Sequence, residues 1–352
     1  MKSLSERVER SAAAGMDEAM GRAMRIDDAV REFREQRARR RGQVPTVIPY
    51  TGYGSTTWVR VLGRVMMTPR RQAKAPESVR GWRSFTSVAV NRAKVCVRVG
   101  DREHVVEADH GGVIDVQIEA ELTPGWHRVS LQSMDPEGPN APANEAPVFV
   151  LDPAEPFGII SDVDDTVMVT TLPRPLLAGW NTFVLNEHAR TATPGMAVLY
   201  DRLHREHPGA PVLYLSTGAW NVAPTLTRFL SRNLYPPGPL LLTDWGPTPD
   251  RIFRSGRAHK VAQLARLAEE FPSVKWLLIG DDGQHDEEIY GDFARAHPEN
   301  VAAVAIRQLS PGEAVLAGGR SRDLRHGGGD VPWVLAPDGR ALADELKRLS
   351  LL

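Results

Sequence analysis

The chain holds a single cysteine, Cys96. That excludes an internal disulfide framework and a zinc site built on cysteines. No apolar run reaches the roughly 18–20 residues of a membrane span. An excess of one charge is also missing. The 43 Lys and Arg stand against 44 Asp and Glu, a formal net charge of −1, so no global field favours nucleic acid as a partner. The opening "MKSLSERVERSAAAGMDE" has no apolar core of the kind a signal peptide uses. No internal repeat is present. The expectation is a cytoplasmic protein whose 352 residues suffice for two domains.

What is present changes character along the chain. Residues 1–43 are rich in Arg, Glu, Ala and Met, and an apolar stripe (Val8, Ala12, Met16, Ala19, Ala23, Ile26, Val30, Phe33) steps by three and four. This predicts an amphipathic basic helix, ending at "RARRRG" where cations and a glycine suit a helix C-terminus. Two roles stay open for it: packing on the body or a partner helix, and peripheral contact with an anionic membrane surface. Residues 44–151 carry short valine-rich alternating runs such as "TWVRVLGRVMM", "AKVCVRVG" and "GVIDVQIEAEL" between Gly and Asp turns. They predict an all-β, sandwich-like domain. "DPEGPNAPANEAP" reads as a long loop before its last strand, "VFVLD".

From residue 152 the apolar runs become continuous: "FGIIS", "PVLYLS", "PLLLT", "KWLLIG" and "VAAVAI", separated by helical stretches such as "HKVAQLARLAEEF". Strands without alternation are buried on both faces, so the prediction is an α/β domain over 152–310 with a parallel, Rossmann-like sheet. Residues 311–352 complete it with the loop "GGRSRDLRHGGGD" and a last helix, "ALADELKRLSLL". Such sheets bind ligands at the carboxyl ends of their strands. Polar residues collect at those ends. Asp162, Asp164, Asp165 and Thr166 follow "FGIIS"; Ser216 and Thr217 follow "PVLYL"; Asp281, Asp282 and Asp286 follow "KWLLIG", and Lys260 lies in "HKVAQL", read as opening a helix. Carboxylates converging in one crevice repel each other unless a cation is present, and hard oxygen ligands are what Mg²⁺ takes. A lysine and a hydroxyl beside such an ion suit phosphoryl transfer, which asks for positioning and charge neutralisation.

"DVDDT", a strand ending in Ser, an isolated Lys and "GDDGQHD", in that order, resemble the four motifs of haloacid-dehalogenase-superfamily phosphatases. More narrowly, "FGIISDVDDTV", "YLSTGAWN", "GDDGQHDEEIY" and "PYTGYGSTTWVRVLGRV" resemble the actin-patch-protein-type phosphatidate phosphatases, from about Pro49 to Gln308. The resemblance implies Asp162 as nucleophile and Mg²⁺ ligand. It implies Asp164 as general acid and base, with its backbone carbonyl on the metal. Ser216 would hold the phosphoryl oxygens, Lys260 would balance charge, and Asp281 would complete the metal site with either Asp282 or Asp286 in support. Thr166 and Thr217 are candidates to contact substrate. Two positions depart from the pattern. Asp282 stands where a small hydroxyl is expected, and the "STG" step replaces the usual Ser-Asn or Ser-Ser.

Other readings of the same residues carry less. An EF-hand loop counted from Asp162 fails at Val167, where Gly is needed, and at Pro173, where Glu is needed. Cys96 and Arg102 match a C-x5-R spacing, but the surrounding pattern is strand, turn, strand, so Cys96 reads as a packing residue. His188, His259 and His285 are expected to be solvated or hydrogen-bonded rather than ligands. The tryptophans Trp180, Trp220 and Trp245 are core candidates by default; Trp180 and Trp220 are the preferred candidates for an apolar rim meeting acyl chains. Between Val167 and Ala210 there is space for a short flap and no large cap. An open site suits a phosphate presented on something large. The first expectation is Mg²⁺-dependent hydrolysis of phosphatidate. The alternatives are a phosphoprotein or soluble ester as substrate, and a partner-binding module with a vestigial site. Oligomeric state is not legible.

Overall fold

The computed structural model describes residues 30, 32–70, 88–135, 142–169, 191–243, 249–283, 285–316, 319 and 330–352. Most of the N-terminal apolar stripe, the stretch holding Trp180 and His188, Trp245, and most of "GGRSRDLRHGGGD" lie outside them. Residues 32–40 are helical. Phe33 of the stripe is 63% exposed there, while Ala38 is buried against the β core. Arg39 bonds Glu35 at 2.8 Å and Asp135 at 2.5 Å, which ties the end of this helix to the β sheet.

Seven strands follow: β1 (Gln43–Ser55), β2 (Trp58–Pro69), β3 (Lys94–Val99), β4 (Arg102–Glu107), β5 (Val113–Glu119), β6 (Gly125–Ser133) and β7 (Asn144–Val150). They alternate as the sequence does. In β3, Val95, Val97 and Val99 are buried while Lys94 and Arg98 face solvent. All seven belong to one hydrogen-bonded sheet in the order β4-β3-β6-β7-β1-β2-β5, rather than to two facing sheets. Its edge strands β4 and β5 lie close to each other, so the sheet is rolled nearly shut around valines and Leu131. β7 begins at Asn144, inside the stretch expected to be loop. Pairing to β6 and β1 overrides the local Pro and Asn signals there.

The second sheet comes from β8 (Phe157–Asp162), β11 (Val212–Ala219), β12 (Leu240–Thr243), β13 (Lys275–Asp281), β14 (Val301–Arg307) and β15 (Trp333–Ala336). Its order is β12-β11-β8-β13-β14-β15, and every pairing is parallel. The chain leaves the central β8 to one side and then returns to build the other. The strand order reverses between β8 and β13, where doubly wound sheets open a crevice. A two-stranded ribbon of β9 (Met168–Val169) and β10 (Thr191–Ala192) closes the base of the expected flap. Six helices accompany the strands among the described residues: α1 (Met196–Glu206), α2 (Ala223–Arg232), α3 (Pro249–Glu270), α4 (Asp286–Ala296), α5 (Pro311–Leu316) and α6 (Gly339–Arg348). Strand β15 was not legible in "PWVLAP", which is four residues long and bounded by prolines.

The two sheets share a core. A register shift in β1 between Tyr50 and Tyr53 turns both rings to one face, where regular alternation would send them to opposite ones. Both join the core of the α/β sheet together with Ile48 and Leu62. Tyr50 stacks on Trp220 with centroids 4.9 Å apart, and its hydroxyl donates to the Trp220 carbonyl at 3.2 Å. Tyr53 donates to Glu270 at 2.7 Å, and Arg60 reaches the other oxygen of the same carboxylate at 2.8 Å. No helix among the described residues is long and apolar enough to cross a membrane.

Candidate active site

Three buried strands deliver residues at or near their carboxyl ends to one place. Asp162 ends β8 level with Leu215 of β11, and Ser161 is level with Ile279 of β13. Ser216 and Asp281 therefore fall just beyond, on either side of Asp162. The oxygens of Asp162, Asp281 and Asp286 come within 4.8 Å of one another, and all three residues are buried. Gly280 makes this approach possible. A Cβ there would stand 2.7 Å from Asp286 Oδ2 and 2.7 Å from a Tyr290 ring carbon.

Lys260 sits inside α3, which starts at Pro249, rather than at the opening of a helix as the pattern of "HKVAQL" predicts. Its Nζ donates to Asp162 Oδ1 at 2.7 Å and to Asp286 Oδ1 at 2.5 Å. One turn earlier, Gly256 lets α3 lie against the end of β11: a Cβ there would meet Thr217 Cγ2 at 2.9 Å and its Cβ at 3.1 Å. Lys260 is only 6% exposed, yet burial is outweighed by Asp162 and Asp286, which hold its pKa well above the usual lysine range. One ammonium cannot neutralise three carboxylates. Burial pushes Asp162 and Asp281 well above ordinary aspartates; Lys260 opposes this, while Asp286 adds to it at both positions.

The turn after Asp162 is tight. Asp165 adopts a left-handed φ of 59°, its amide donates to the Met168 carbonyl at 2.7 Å, and the Val163 carbonyl accepts from Val167 at 3.0 Å and Met168 at 3.1 Å. This folding-back aims Asp164 at Ser216, whose hydroxyl donates to Asp164 Oδ2 at 3.1 Å. Ser216 Oγ also accepts from the Gly218 amide at 3.0 Å. Thr166 is fully buried, and its hydroxyl has no hydrogen-bond partner among the described residues. Thr217 is exposed beside this group, its carbonyl accepting from Thr243 at 3.0 Å.

Several sequence expectations are resolved by position. Asp286, not Asp282, joins the acidic group. Asp282 Oδ1 accepts from the Leu309 amide at 2.8 Å, so its carboxylate caps the turn after β14. Trp220, a core residue by default and a candidate for an apolar rim, is 5% exposed and packed against Tyr50, so the default holds and the ring serves the contact between the sheets. Trp180 lies outside the described residues. His259 is partly buried with Nε2 3.3 Å from the Leu241 carbonyl, and loss of solvent depresses its pKa to about 4. His285 is half-exposed, 3.9 Å from Glu288. Cys96 lies opposite Val105 in a β ladder, and Arg102 begins the next strand, so no helix end faces the thiol. A residue the motifs missed is Arg307 at the end of β14. It is buried and donates to the Asp165 carbonyl and to Glu313, each at 2.6 Å. The available signal was an arginine closing the apolar run "VAAVAI" at the same edge as the other site residues.

A buried carboxylate group and one lysine at the switch point of a parallel sheet define an α/β protein with a buried acidic site whose residues could hold a cation. Residues 157–308 match the family described as the catalytic domain of phosphatidate phosphatase APP1. This match covers the same stretch as the motif resemblance and supports it there. The Saccharomyces cerevisiae phosphatidate phosphatase APP1 is 27% identical over 205 residues, covering 57% of this chain and 34% of that protein. An uncharacterized Schizosaccharomyces pombe protein is 28% identical over 155 residues, covering 44% of this chain and 25% of its own length. The chain thus spans about a third or less of either relative. Among solved structures, a carbohydrate acetylesterase from Xanthomonas citri overlaps at 10% identity and a TM-score of 0.28, covering 75% of this chain and 68% of its own. Similarity that low carries no structural inference.

Proposed function

We propose that the α/β unit, residues 152–352, is a haloacid-dehalogenase-type phosphatase acting on phosphomonoesters, with phosphatidate as substrate. The observation that carries this reading is the Asp162–Lys260–Asp286 contact beside Asp281, with the Ser216–Asp164 pair on the other side of the nucleophile. The APP1-type match of the same residues supports the choice of substrate.

The donor set fits a divalent cation. Three buried carboxylates face one ammonium, and Asp286 Oδ2 has no hydrogen-bond partner among the described residues. Asp162, Asp281 and Asp286 would hold Mg²⁺, which would neutralise charge on the phosphoryl oxygens. Lys260 favours the ionised form of Asp162 against the effect of burial and orients it. An Asp162 oxygen attacks phosphorus, the bond from phosphorus to the alcohol oxygen breaks, and Asp164 gives that oxygen its proton. Asp164, now a carboxylate, takes a proton from water, whose oxygen displaces Asp162 from phosphorus and yields inorganic phosphate. Ser216 fixes Asp164 between these two roles and offers a hydroxyl near the transferring group.

Phosphate release from phosphatidate in mixed micelles tests the reading, with and without Mg²⁺ and beside Asp162→Asn. Metal-dependent turnover should fall by about three orders of magnitude or more in the variant. Faster turnover of soluble or protein-bound esters than of phosphatidate would keep the chemistry and discard the lipid. Equal turnover by Asp162→Asn would discard the nucleophile. Loss of anionic-vesicle binding on deleting residues 1–41 would give the N-terminal segment its membrane role.

A further inference from the structure

Arg307 closes β14 directly beside Asp281, with which it is paired in register. Its side chain is buried among the motif turns and bridges two groups at once. Nη1 donates to the Asp165 carbonyl at 2.6 Å and Nη2 to Glu313 Oε1 at 2.6 Å. Glu313 is fixed in turn, because its other oxygen accepts from the Ser310 amide at 2.8 Å. The backbone carbonyl of Arg307 accepts from the Asp282 amide at 3.0 Å. One residue therefore touches both turns that carry the acidic group.

The contact to Asp165 matters most. Its left-handed conformation is sparsely populated for a residue bearing a side chain. Such a conformation persists only where its surroundings over-determine it. The same conformation folds the chain back, so that Asp164 meets Ser216 while Asp162 stays on Lys260. A planar guanidinium can hold a carbonyl and a carboxylate together in a fixed fork, which an ammonium on a flexible stem cannot.

We propose that Arg307 is a positioning residue for the reaction, pinning the left-handed turn at Asp165 so that Asp164 and Asp162 are both aimed into the site. The chemical consequence rests on the phosphatase reading; the pinning of the turn does not. Arg307 touches no reacting atom in this role and acts through the Asp165 carbonyl.

Two measurements on the full chain test it. The first is amide hydrogen exchange on Arg307→Met without substrate. Exchange should accelerate at Asp165, Val167 and Met168, whose amides close the turn, and stay unchanged at Leu278 and Ile306 in the strands. Unchanged exchange at 165–168, or a uniform rise throughout the sheet, would overturn the proposal. The second is steady-state hydrolysis of phosphatidate. The variant should lose about tenfold to a hundredfold in kcat, the range for a hydrogen bond from a charged donor, with KM within about twofold. Should the methionine variant not fold, Arg307→Lys carries both readouts, with a smaller loss because one ammonium serves one partner at a time. Added guanidinium should restore part of the activity of Arg307→Ala. An Arg307→Lys enzyme matching wild type in exchange and kcat would overturn the bridging role. If wild type turns over no ester, the phosphatase reading fails and the exchange result alone decides whether Arg307 pins the turn.

Discussion

His259 and Lys260 are neighbours on α3 with opposite fates. Lys260 faces carboxylates and stays charged, whereas His259 meets the Leu241 carbonyl in a partly buried setting that disfavours its cation. Burial is the main cause, Arg266 and Lys260 act in the same direction, and Asp115 and the Leu241 carbonyl oppose them. The unfolded chain binds this proton near pH 6.5 and the folded chain only near pH 4. His259 therefore removes stability as pH falls from about 6.5 towards 4, by on the order of 3 kcal/mol. Denaturant titrations across that window should show His259→Gln with a flatter pH dependence than wild type. Parallel curves would mean that the imidazole takes up its proton without unfolding. The same scale explains why Asp282 and Asp286 could not be separated by spacing. Both follow β13 closely, and only the direction of each side chain assigns one to the acidic group and the other to the Leu309 amide.

Helix α3 is positioned as much by a missing side chain as by its own. Replacing glycine with alanine inside a helix ordinarily stabilises by about 1 kcal/mol. Gly256→Ala should do the opposite, because the new Cβ meets the Thr217 Cβ, which no rotamer can move away. The helix would have to lift from β11, taking Lys260 with it. A lower melting temperature together with reduced kcat is expected. Gly312→Ala in α5, where a Cβ has nothing within 4 Å, is the matched control and should be neutral or stabilising. If Gly256→Ala proves as stable and active as that control, the close approach of α3 does not set the lysine. The helix start illustrates how a sequence is misread: the periodicity of "HKVAQL" draws the eye, while Thr248, Pro249 and Asp250, a cap residue, a proline and an acid, mark the true beginning.

At the scale of the whole molecule the rolled sheet and the parallel sheet are joined through side chains rather than through backbone pairing. Tyr50 on Trp220, Tyr53 and Arg60 on Glu270, and Arg266 on Asp115 bind the β strands to α3, which carries Lys260, and to the turn that follows β11, the strand of Ser216. The apolar core runs across this contact. Calorimetry should therefore show one cooperative transition for the chain. Tyr50→Leu removes a stacked ring and a buried hydrogen bond, and should cost about 2–4 kcal/mol. Two separate transitions in the wild type would mean that the sheets fold independently and the contact is incidental. A separable recruiting module would share little core, and the extent of the shared one favours a fixed part of the body that holds the acidic site.

The sequence by itself determined the chemistry available and the strand ends that present it. Continuous apolar runs dictate buried parallel strands, and aspartates directly after them must emerge at one edge of the sheet, so Asp162, Ser216 and Asp281 were legible by order alone. The alternating valine runs likewise dictate a half-buried β sheet over 44–151. Tertiary structure decided what depends on direction and on contacts between distant segments. It closed the β strands into one rolled sheet, placed Trp220 between the sheets instead of on a rim, chose Asp286 over Asp282, and set Arg307 on the Asp165 carbonyl. Each of those outcomes depends on side chains from segments far apart in the chain, and a one-dimensional pattern records periodicity and spacing but not which partner a side chain meets.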